Sequence, residues 1–545
     1  MHIVQFQAGF GPFFRLFRVG RPGKKLDTQE YNDAHPIERR FLMDKNEIML
    51  QGFEWNLPAD GEHWNRLAAM APSMKRAGIT SIWLPPAYKG IGGAEEVGYA
   101  VYDPYDLGEF DQCGSVRTKY GTLNQYTEAI EALHRSGIKA FSDMVMNHRM
   151  GAEKAERVKT HVVSTDNRLD VHPEVQDSVL YTKFTFPGRK GRYSNFKWDS
   201  RRFTSVSYDK TDPDHQLFLI DGKSFATDVD GELGNYDYLM GCDVDVNQNA
   251  VKKELIRWAM FTLNKTGEDG FRLDAVKHIS ASFMEKWLTT LRSLTGMDLY
   301  TVGEYWSSSL PALLNYLKQV HSCMSLFDVP LHFRLYDAAR SDGSFDMGSL
   351  LNDTLSKADP AHAVTFVDNH DTQPGQSLES FVSGWFKEVA YGIILLRGQG
   401  IPCVFWGDLY GMPYQHIKPV RNLRLLMHAC GKYAYGQLYD YFDHQHVVGF
   451  TRFGDEHPGS GLAFLCSNQG DGEKQMFVGK ENAGKTFVPL HGKFPPVRID
   501  REGMGLFRVS EKDFSLYVPE KVTRRRRTNT KKRAASSVKR QVINH

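Results

Sequence analysis

From Met49 onward the chain alternates short apolar runs with stretches of helical period. The apolar runs "MLQGFEW", "SIWLPP", "KAFSDMVMNH", "GFRLDAV", "LYTVGEYW", "CMSLFDV", "AVTFVDNHD" and "IPCVFWGD" read as strands. Between most of them the spacing predicts a helix. "LNQYTEAIEALHRSG" ends at a glycine able to cap it, and "NAVKKELIRWAMFTLNKTG" sets Val251, Leu255, Trp258 and Ala259 on one face. Eight strands separated by helices predict parallel pairing through right-handed crossovers, and eight such units suggest an α/β fold closed as a (β/α)8 TIM barrel. The alternative is an open doubly wound sheet. No GxGxxG or P-loop pattern follows the first strand, so nothing supports a nucleotide-binding version.

Two stretches break the alternation. More than a hundred residues separate "DMVMNH" from "GFRLDAV", most of them polar, Gly-rich and aromatic, and a structureless loop of that size is not expected inside a compact domain. Residues 148–247 are therefore expected to form an inserted β-rich subdomain, with the barrel built from 46–147 and 248–438. After about Tyr439 the short alternating runs "HVVGFTRF", "GLAFLCSN", "KQMFVG", "TFVPL" and "LYVP" predict a C-terminal antiparallel β-sandwich over 439–519. Residues 1–45 are expected to be a disordered extension. They lack the compact apolar region of a secretory signal, although Arg15, Arg18 and Arg21 in an acid-poor stretch also suit a mitochondrial presequence. Residues 520–545 are expected to be a disordered basic tail, whose "RRRR" and "KKR" suit either plain solvation or a nuclear-import or tethering signal.

Charge changes the picture only at that tail. The net charge is +2, but Lys521 to His545 carries ten basic and no acidic residues, which leaves 57 basic and 65 acidic residues before it, a net of −8. A mildly acidic body does not suggest a nucleic-acid partner. No apolar run is long enough to span a membrane. The six cysteines, Cys113, Cys242, Cys323, Cys403, Cys430 and Cys466, form no CxxC or zinc spacing and suit reduced core thiols. A cytoplasmic monomer is expected.

Barrel enzymes carry their chemistry at the carboxyl ends of the strands. Here the third strand ends in Asp143, Asn147 and His148. The fourth carries Arg272 and Asp274, then Lys277 and His278. The fifth ends in Glu304, and the seventh in Asn369, His370 and Asp371. Arg272 and Asp274 share one strand face, and buried charge is costly unless paired or used. A structural ion pair near a strand end is the bland alternative, but the stretch by itself favours function over structure. The three acids Asp274, Glu304 and Asp371 match the needs of glycoside hydrolysis: a proton donor, a nucleophile or base, and a further anion beside an oxocarbenium-like transition state. Histidines can bind sugar hydroxyls, and Tyr99, Trp306 and Trp55 can stack on sugar faces. A divalent-metal hydrolase would use the same residue types, so that alternative stays open.

"DMVMNH", "GFRLDAVKH", "GEYW" and "FVDNHD" resemble, in order and on strands three, four, five and seven, the four conserved regions of the α-amylase family, glycoside hydrolase family 13. The likeness runs from about Asn46 to Pro519 and is strongest with the bacterial liquefying type; without a secretion signal the chain also resembles the intracellular fungal branch. The resemblance implies endo-hydrolysis of α-1,4-glucosidic bonds in starch- or glycogen-type glucans, with retention. Asp274 would be the nucleophile, Glu304 the general acid and base, and Asp371 the acid that binds sugar hydroxyls and helps distort the ring. Arg272 would orient Asp274 and keep it ionised. Tyr99, His148 and His370 would line the subsite for the non-reducing-side glucose, with Lys277 and His278 on the other side. A Ca²⁺ site is implied at Asn147, Asp237, Asp243 and the backbone carbonyl of His278. Where liquefying enzymes carry further aspartates for a sodium-bridged metal cluster, this chain has Thr204 and Ala226, which predicts one calcium and no cluster. Two other functions use the same frame: a 4-α-glucanotransferase acting on maltooligosaccharides, and a non-catalytic glucan-binding protein.

Overall fold

A computed structural model describes residues 46–520 apart from Pro213. The expected N-terminal extension and the tail beyond Glu520 lie outside the described residues. The eight expected strands form a closed parallel barrel: β1 (Met49–Gln51), β2 (Ser81–Trp83), β3 (Lys139–Met144), β4 (Gly270–Leu273), β5 (Tyr300–Gly303), β6 (Ser325–Phe327), β7 (Ala363–Phe366) and β8 (Ile401–Phe405). Each strand pairs with its sequence neighbours, and β1 closes on β8 with Met49 opposite Cys403. Closure leaves no strand edge exposed. The strand residues are almost all buried, as expected of a barrel whose interior is filled by side chains.

The main helix after each strand is α1 (His63–Arg76), α2 (Leu123–Arg135), α3 (Asn249–Thr266), α4 (Ala281–Thr295), α5 (Leu310–Gln319), α6 (Val329–Arg340), α7 (Gly384–Leu396) and α8 (Leu423–Tyr433). Thr122 caps α2 reciprocally with Gln125, and α3 stops where Gly267 takes φ +80, a conformation that costs glycine little. Val251, Leu255, Trp258 and Ala259 are all buried along α3, as the helical spacing predicts. Ten of the thirteen residues of α7 are buried, because this helix lies between the barrel and the C-terminal sheet. Gly392 makes that approach possible: a Cβ there would sit 2.3 Å from the Phe464 ring.

Between β3 and β4 the chain forms a six-stranded antiparallel sheet. Its order is His148–Arg149, Cys242–Val244, Phe203–Val206, Phe218–Ile220, Lys154–Val162, Gln176–Lys183. The expectation of a β-rich insertion holds. The first two strands tie it to the barrel, since His148 follows β3 closely and pairs with Asp243. The C-terminal region is antiparallel, with a six-stranded sheet and the hairpin-like pair Gly472–Phe477 and Met504–Val509 enclosing a second core of Val447, Leu465, Met476, Phe487, Phe507 and Tyr517. All six cysteines are free thiols, four of them buried.

Candidate active site

Strand β4 turns Phe271 and Leu273 one way and Arg272 and the following Asp274 the other. The parallel register sets Arg272 beside Asp143 on β3 and Val302 on β5. The Arg272 side chain is fully buried. Its Nη1 donates to both carboxylate oxygens of Asp143 at 2.8 and 3.1 Å and to Oδ1 of Asp274 at 2.7 Å. Its Nη2 forms an ion pair with Glu304, 2.7 Å from Oε2. The guanidinium also lies over Trp83 and Tyr99, 4.7 and 5.6 Å from their ring centres. Trp83 Nε1 and the Tyr99 hydroxyl donate to Asp143 Oδ2 at 2.9 and 2.8 Å.

After Asp274 the chain turns sharply. Ala275 takes the left-handed conformation, φ +48, a strained state for a residue with a Cβ. The turn aims the Ala275 N–H at Glu304 Oε2, 3.3 Å away, while Glu304 N donates to Leu273 O at 2.9 Å. From the end of β7, His370 Nε2 lies 3.3 Å from Asp371 Oδ2, and His370 Nδ1 lies 3.0 Å from Gln51 Nε2. Trp55, Tyr99 and His370 are nearly parallel, with interplanar angles of 4–9°. His148 Nε2 is 2.8 Å from the carbonyl of Tyr99. The acids Asp274, Glu304 and Asp371 thus converge with Arg272, Tyr99 and His370 at the carboxyl end of the barrel. Lys277 and His278, three and four residues past Asp274, face the inserted segment. Lys277 Nζ bonds Glu232 Oε2 at 2.7 Å and the Trp306 carbonyl at 3.1 Å, and His278 Nδ1 lies 2.7 Å from the Tyr236 carbonyl.

Burial dominates the electrostatics. It raises the Asp274 carboxyl above its usual range, and the charge and hydrogen bond of Arg272 pull against it without prevailing. The expectation that Arg272 keeps Asp274 ionised is therefore modified: the arginine limits the rise. Burial raises Glu304 too, opposed by Arg272 and reinforced by Asp274. Asp371 is raised well above its usual range by burial and then by Glu304. Asp143 is pushed up to about 7 by burial, against the pull of Arg272. Burial works against the Arg272 charge, but Asp143, Glu304, Tyr99 and Asp274 more than offset it. Burial, then Arg272, keeps His370 well below the usual imidazole value, and burial lowers His148 to about 4, so both rings are neutral at pH 7.

A second polar junction lies where the inserted sheet meets the barrel. Asp243 pairs with His148 in the sheet, and Asn147 O accepts the Val244 N–H at 2.9 Å. Burial, then the neighbouring Asp237 charge, pushes Asp243 well above the usual carboxylate range, and its buried Oδ2 has no hydrogen-bond partner. Burial pushes Asp237 up to about 7. Two buried carboxylates that repel each other, beside an amide, fit a hard cation with oxygen ligands. No three His, Cys, Asp or Glu side chains gather as metal ligands among the described residues, so such a site needs the Asn147 amide and peptide carbonyls. The Ala226 N–H donates to Asp237 Oδ2 at 3.0 Å, and Thr204 hydrogen-bonds Asp243.

Several participants were not singled out as site residues from sequence. Asp143 is an acid inside "DMVMNH", and the parallel register that makes it Arg272's bidentate partner is the signal that could have found it. Gln51 and Glu232 reach His370 and Lys277 from segments with no motif. Residues 70–434 match the family described as "Alpha amylase, catalytic domain". The chain is 47% identical to an α-amylase of Geobacillus stearothermophilus over 483 residues, 88% of each chain. It is 40% identical to the cytoplasmic α-amylase of Escherichia coli over 88% of this chain and all of that one. The solved α-amylase of Geobacillus thermoleovorans, complexed with acarbose, shares the fold at a TM-score of 0.59 and 18% identity, over 88% of this chain and 99% of that one. The chain belongs to the α-amylase family, glycoside hydrolase family 13.

Proposed function

We propose that the chain is an endo-acting α-amylase that hydrolyses α-1,4-glucosidic bonds of starch- or glycogen-type glucans with retention of configuration. The observation that carries this reading is the contact of Asp274 and Glu304 with one guanidinium at the mouth of the barrel. Sharing Arg272 keeps the two carboxyl groups close, which suits the spacing of about 5–5.5 Å in retaining enzymes better than the wider gap of inverting ones. Asp274 attacks the anomeric carbon and forms a glucosyl ester. Glu304, held protonated by burial, gives its proton to the departing oxygen and then takes one from the incoming water. Asp371 and neutral His370 bind the sugar hydroxyls, and Tyr99 with Trp55 supplies an apolar face for the ring. Relatives named as α-amylases that match at 40–47% identity over most of the chain favour hydrolysis over transfer or mere binding.

Asn147, Asp237, Asp243 and the His278 carbonyl would hold one Ca²⁺. The ion would neutralise the Asp237–Asp243 pair and tie the insertion to the barrel beside the site. With Thr204 and Ala226 in place of carboxylates, a sodium-bridged cluster would lack two of its carboxylate ligands. A cytoplasmic location is supported by the Escherichia coli relative, and no helix among the described residues is long and apolar enough to cross a membrane.

The test is product analysis on soluble starch and maltoheptaose beside Asp274→Asn. Rapid viscosity loss with short α-anomeric products, absent in the variant, is the expected result. Products longer than the maltoheptaose supplied would replace hydrolysis by transfer, and no turnover with calcium present would leave only binding.

A further inference from the structure

A second buried ion cluster lies behind the loop that carries His370 and Asp371. Lys387, on α7, is enclosed: its Nζ lies 2.7 Å from Asp368 Oδ2, forms a close ion pair with Asp408 Oδ1, and sits 3.5 Å from the centre of the Phe381 ring. Asp408 belongs to the short helix after β8 and also accepts the Tyr391 hydroxyl at 2.7 Å. Asp368 lies just past β7 and is wholly buried. Lys387 therefore ties the ends of two neighbouring strands to the helix between them.

From Asp368 a chain of hydrogen bonds runs to the site. The Thr372 hydroxyl donates to Asp368 Oδ1 at 2.9 Å and accepts the Asn369 N–H at 3.0 Å. Asn369 Oδ1 then accepts the backbone N–H groups of Asp371 and Thr372, both at 2.9 Å. The return of the loop is fixed as well, since Ser380 N donates to Thr372 O at 3.2 Å and Val382 N to Asp368 at 3.3 Å. We propose that Lys387 is a positioning residue for catalysis: through Asp368 and Thr372 it sets the backbone of the turn from which Asp371 and His370 reach the substrate. None of Lys387, Asp368 and Thr372 is among the groups assigned to touch the sugar. A buried ion pair is weak evidence for stability and better suited to fixing one arrangement. A turn held this way keeps Asp371 in its transition-state geometry, where small displacements are costly.

The inference rests on the reading of Asp371 as a catalytic group. The test uses the full chain with maltoheptaose at 25 °C, scaled to the folded fraction from circular dichroism. Thr372→Val removes the relay hydroxyl at nearly constant volume and leaves no charge unpaired, so it should fold. It is expected to lower kcat by about tenfold or more with KM little changed, the pattern of an interaction made only in the transition state. Thr372→Ser, which keeps the hydroxyl, should restore kcat. Lys387→Met with Asp408→Asn keeps the net charge of the cluster, leaves Asp368 to take up a proton and cuts the tie between the strands, and should show the same kcat loss. A kcat within about threefold of wild type in folded Thr372→Val, or a loss confined to KM, overturns the inference. Asp371→Asn is the control. If it loses activity while Thr372→Val does not, only the positioning role falls; if it keeps wild-type turnover, the reading of the site itself falls.

Discussion

Asp143→Asn is the substitution that tests the electrostatics of the site most directly, because Asp143 needs no contact with the substrate. Its carboxylate takes two bonds from Arg272 at 2.8 and 3.1 Å, one from Trp83 at 2.9 Å and one from Tyr99 at 2.8 Å. The amide keeps the shape but replaces one acceptor oxygen by a donor, and faces it towards other donors. Breaking one member of a buried, hydrogen-bonded ion pair costs about 3–5 kcal/mol. If some 3 kcal/mol of that falls on the transition state through a misaligned Arg272, kcat/KM drops roughly hundredfold. The sign of the pH effect also follows. Arg272 lowers the pKa of Glu304, and Asp143 offsets part of that positive charge. With Asp143 neutralised, Glu304 feels more of the guanidinium and loses its proton at lower pH. The alkaline limb of kcat/KM on maltoheptaose should therefore move to lower pH, while the substrate products stay the same. Activity within threefold of wild type and an unmoved alkaline limb would refute the account of Arg272 as the shared electrostatic centre.

Glu304→Gln should abolish the alkaline limb along with nearly all turnover of maltoheptaose, while an activated glycoside with a good leaving group, measured by its burst, should still form the ester at Asp274. Chelation should lower the thermal midpoint, and calcium should restore it, adding about 2.7 kcal/mol of stability at a hundredfold excess over its dissociation constant; added sodium should give no further shift, and a sodium-specific increment would argue for the cluster that Thr204 and Ala226 are expected to preclude. Glu268, buried behind the barrel with hydrogen bonds from Tyr126 and Thr266, is pushed up to about 7 by burial. The folded state therefore holds its proton more tightly than the unfolded one, so its contribution is full below the unfolded value near 4.5 and is lost as pH rises to about 7, a change of roughly 3 kcal/mol. Glu268→Gln should flatten the stability profile across that window in urea titrations, and an unchanged slope would count against it.

The barrel was legible because burial on closed strands leaves a plain mark, short apolar runs separated by helical period, and because polar residues gathered at one end of those runs. The inserted sheet was legible only as a class. Its strand order depends on pairings such as Asp243 with His148 that no local pattern announces. In the C-terminal region Met504–Val509 was not expected as a strand, since Gly505 on its buried face and the apolar Leu506 on its exposed face blur the pattern; its partner strand is Gly472–Phe477. The same limit applied at the site. Asp274, Glu304 and Asp371 stand out because strand ends are poor places for idle acids. Asp143 sits in an equally visible motif, yet its part depends on which residue lies opposite it on the next strand. Lys387 was less visible still, one lysine in an apolar helix, whose partners Asp368 and Asp408 lie 19 residues before it and 21 after.

The arrangement around Arg272 bears on the division of labour proposed for Asp274 and Glu304. One guanidinium faces Asp143, Asp274 and Glu304, with Asp371 close by, and burial forbids all four carboxyl groups from ionising together. Their contacts differ. Asp274 accepts a direct 2.7 Å bond from Nη1, while burial acts against its charge. Glu304 Oε2 lies 2.7 Å from Nη2 and accepts the Ala275 N–H at 3.3 Å, and Glu304 and Asp274 repel each other. Asp371 has no bond from the guanidinium and feels Glu304, Asp274 and Asp143 together. All three carboxyl groups are raised above their usual range, and the direct bond from Arg272 favours the charged form at Asp274. A charge held there suits the nucleophile proposed at Asp274, beside the proton donor proposed at Glu304. A lysine at position 272, with no second fixed N–H to share, should leave Asp274 and Glu304 competing for one cation.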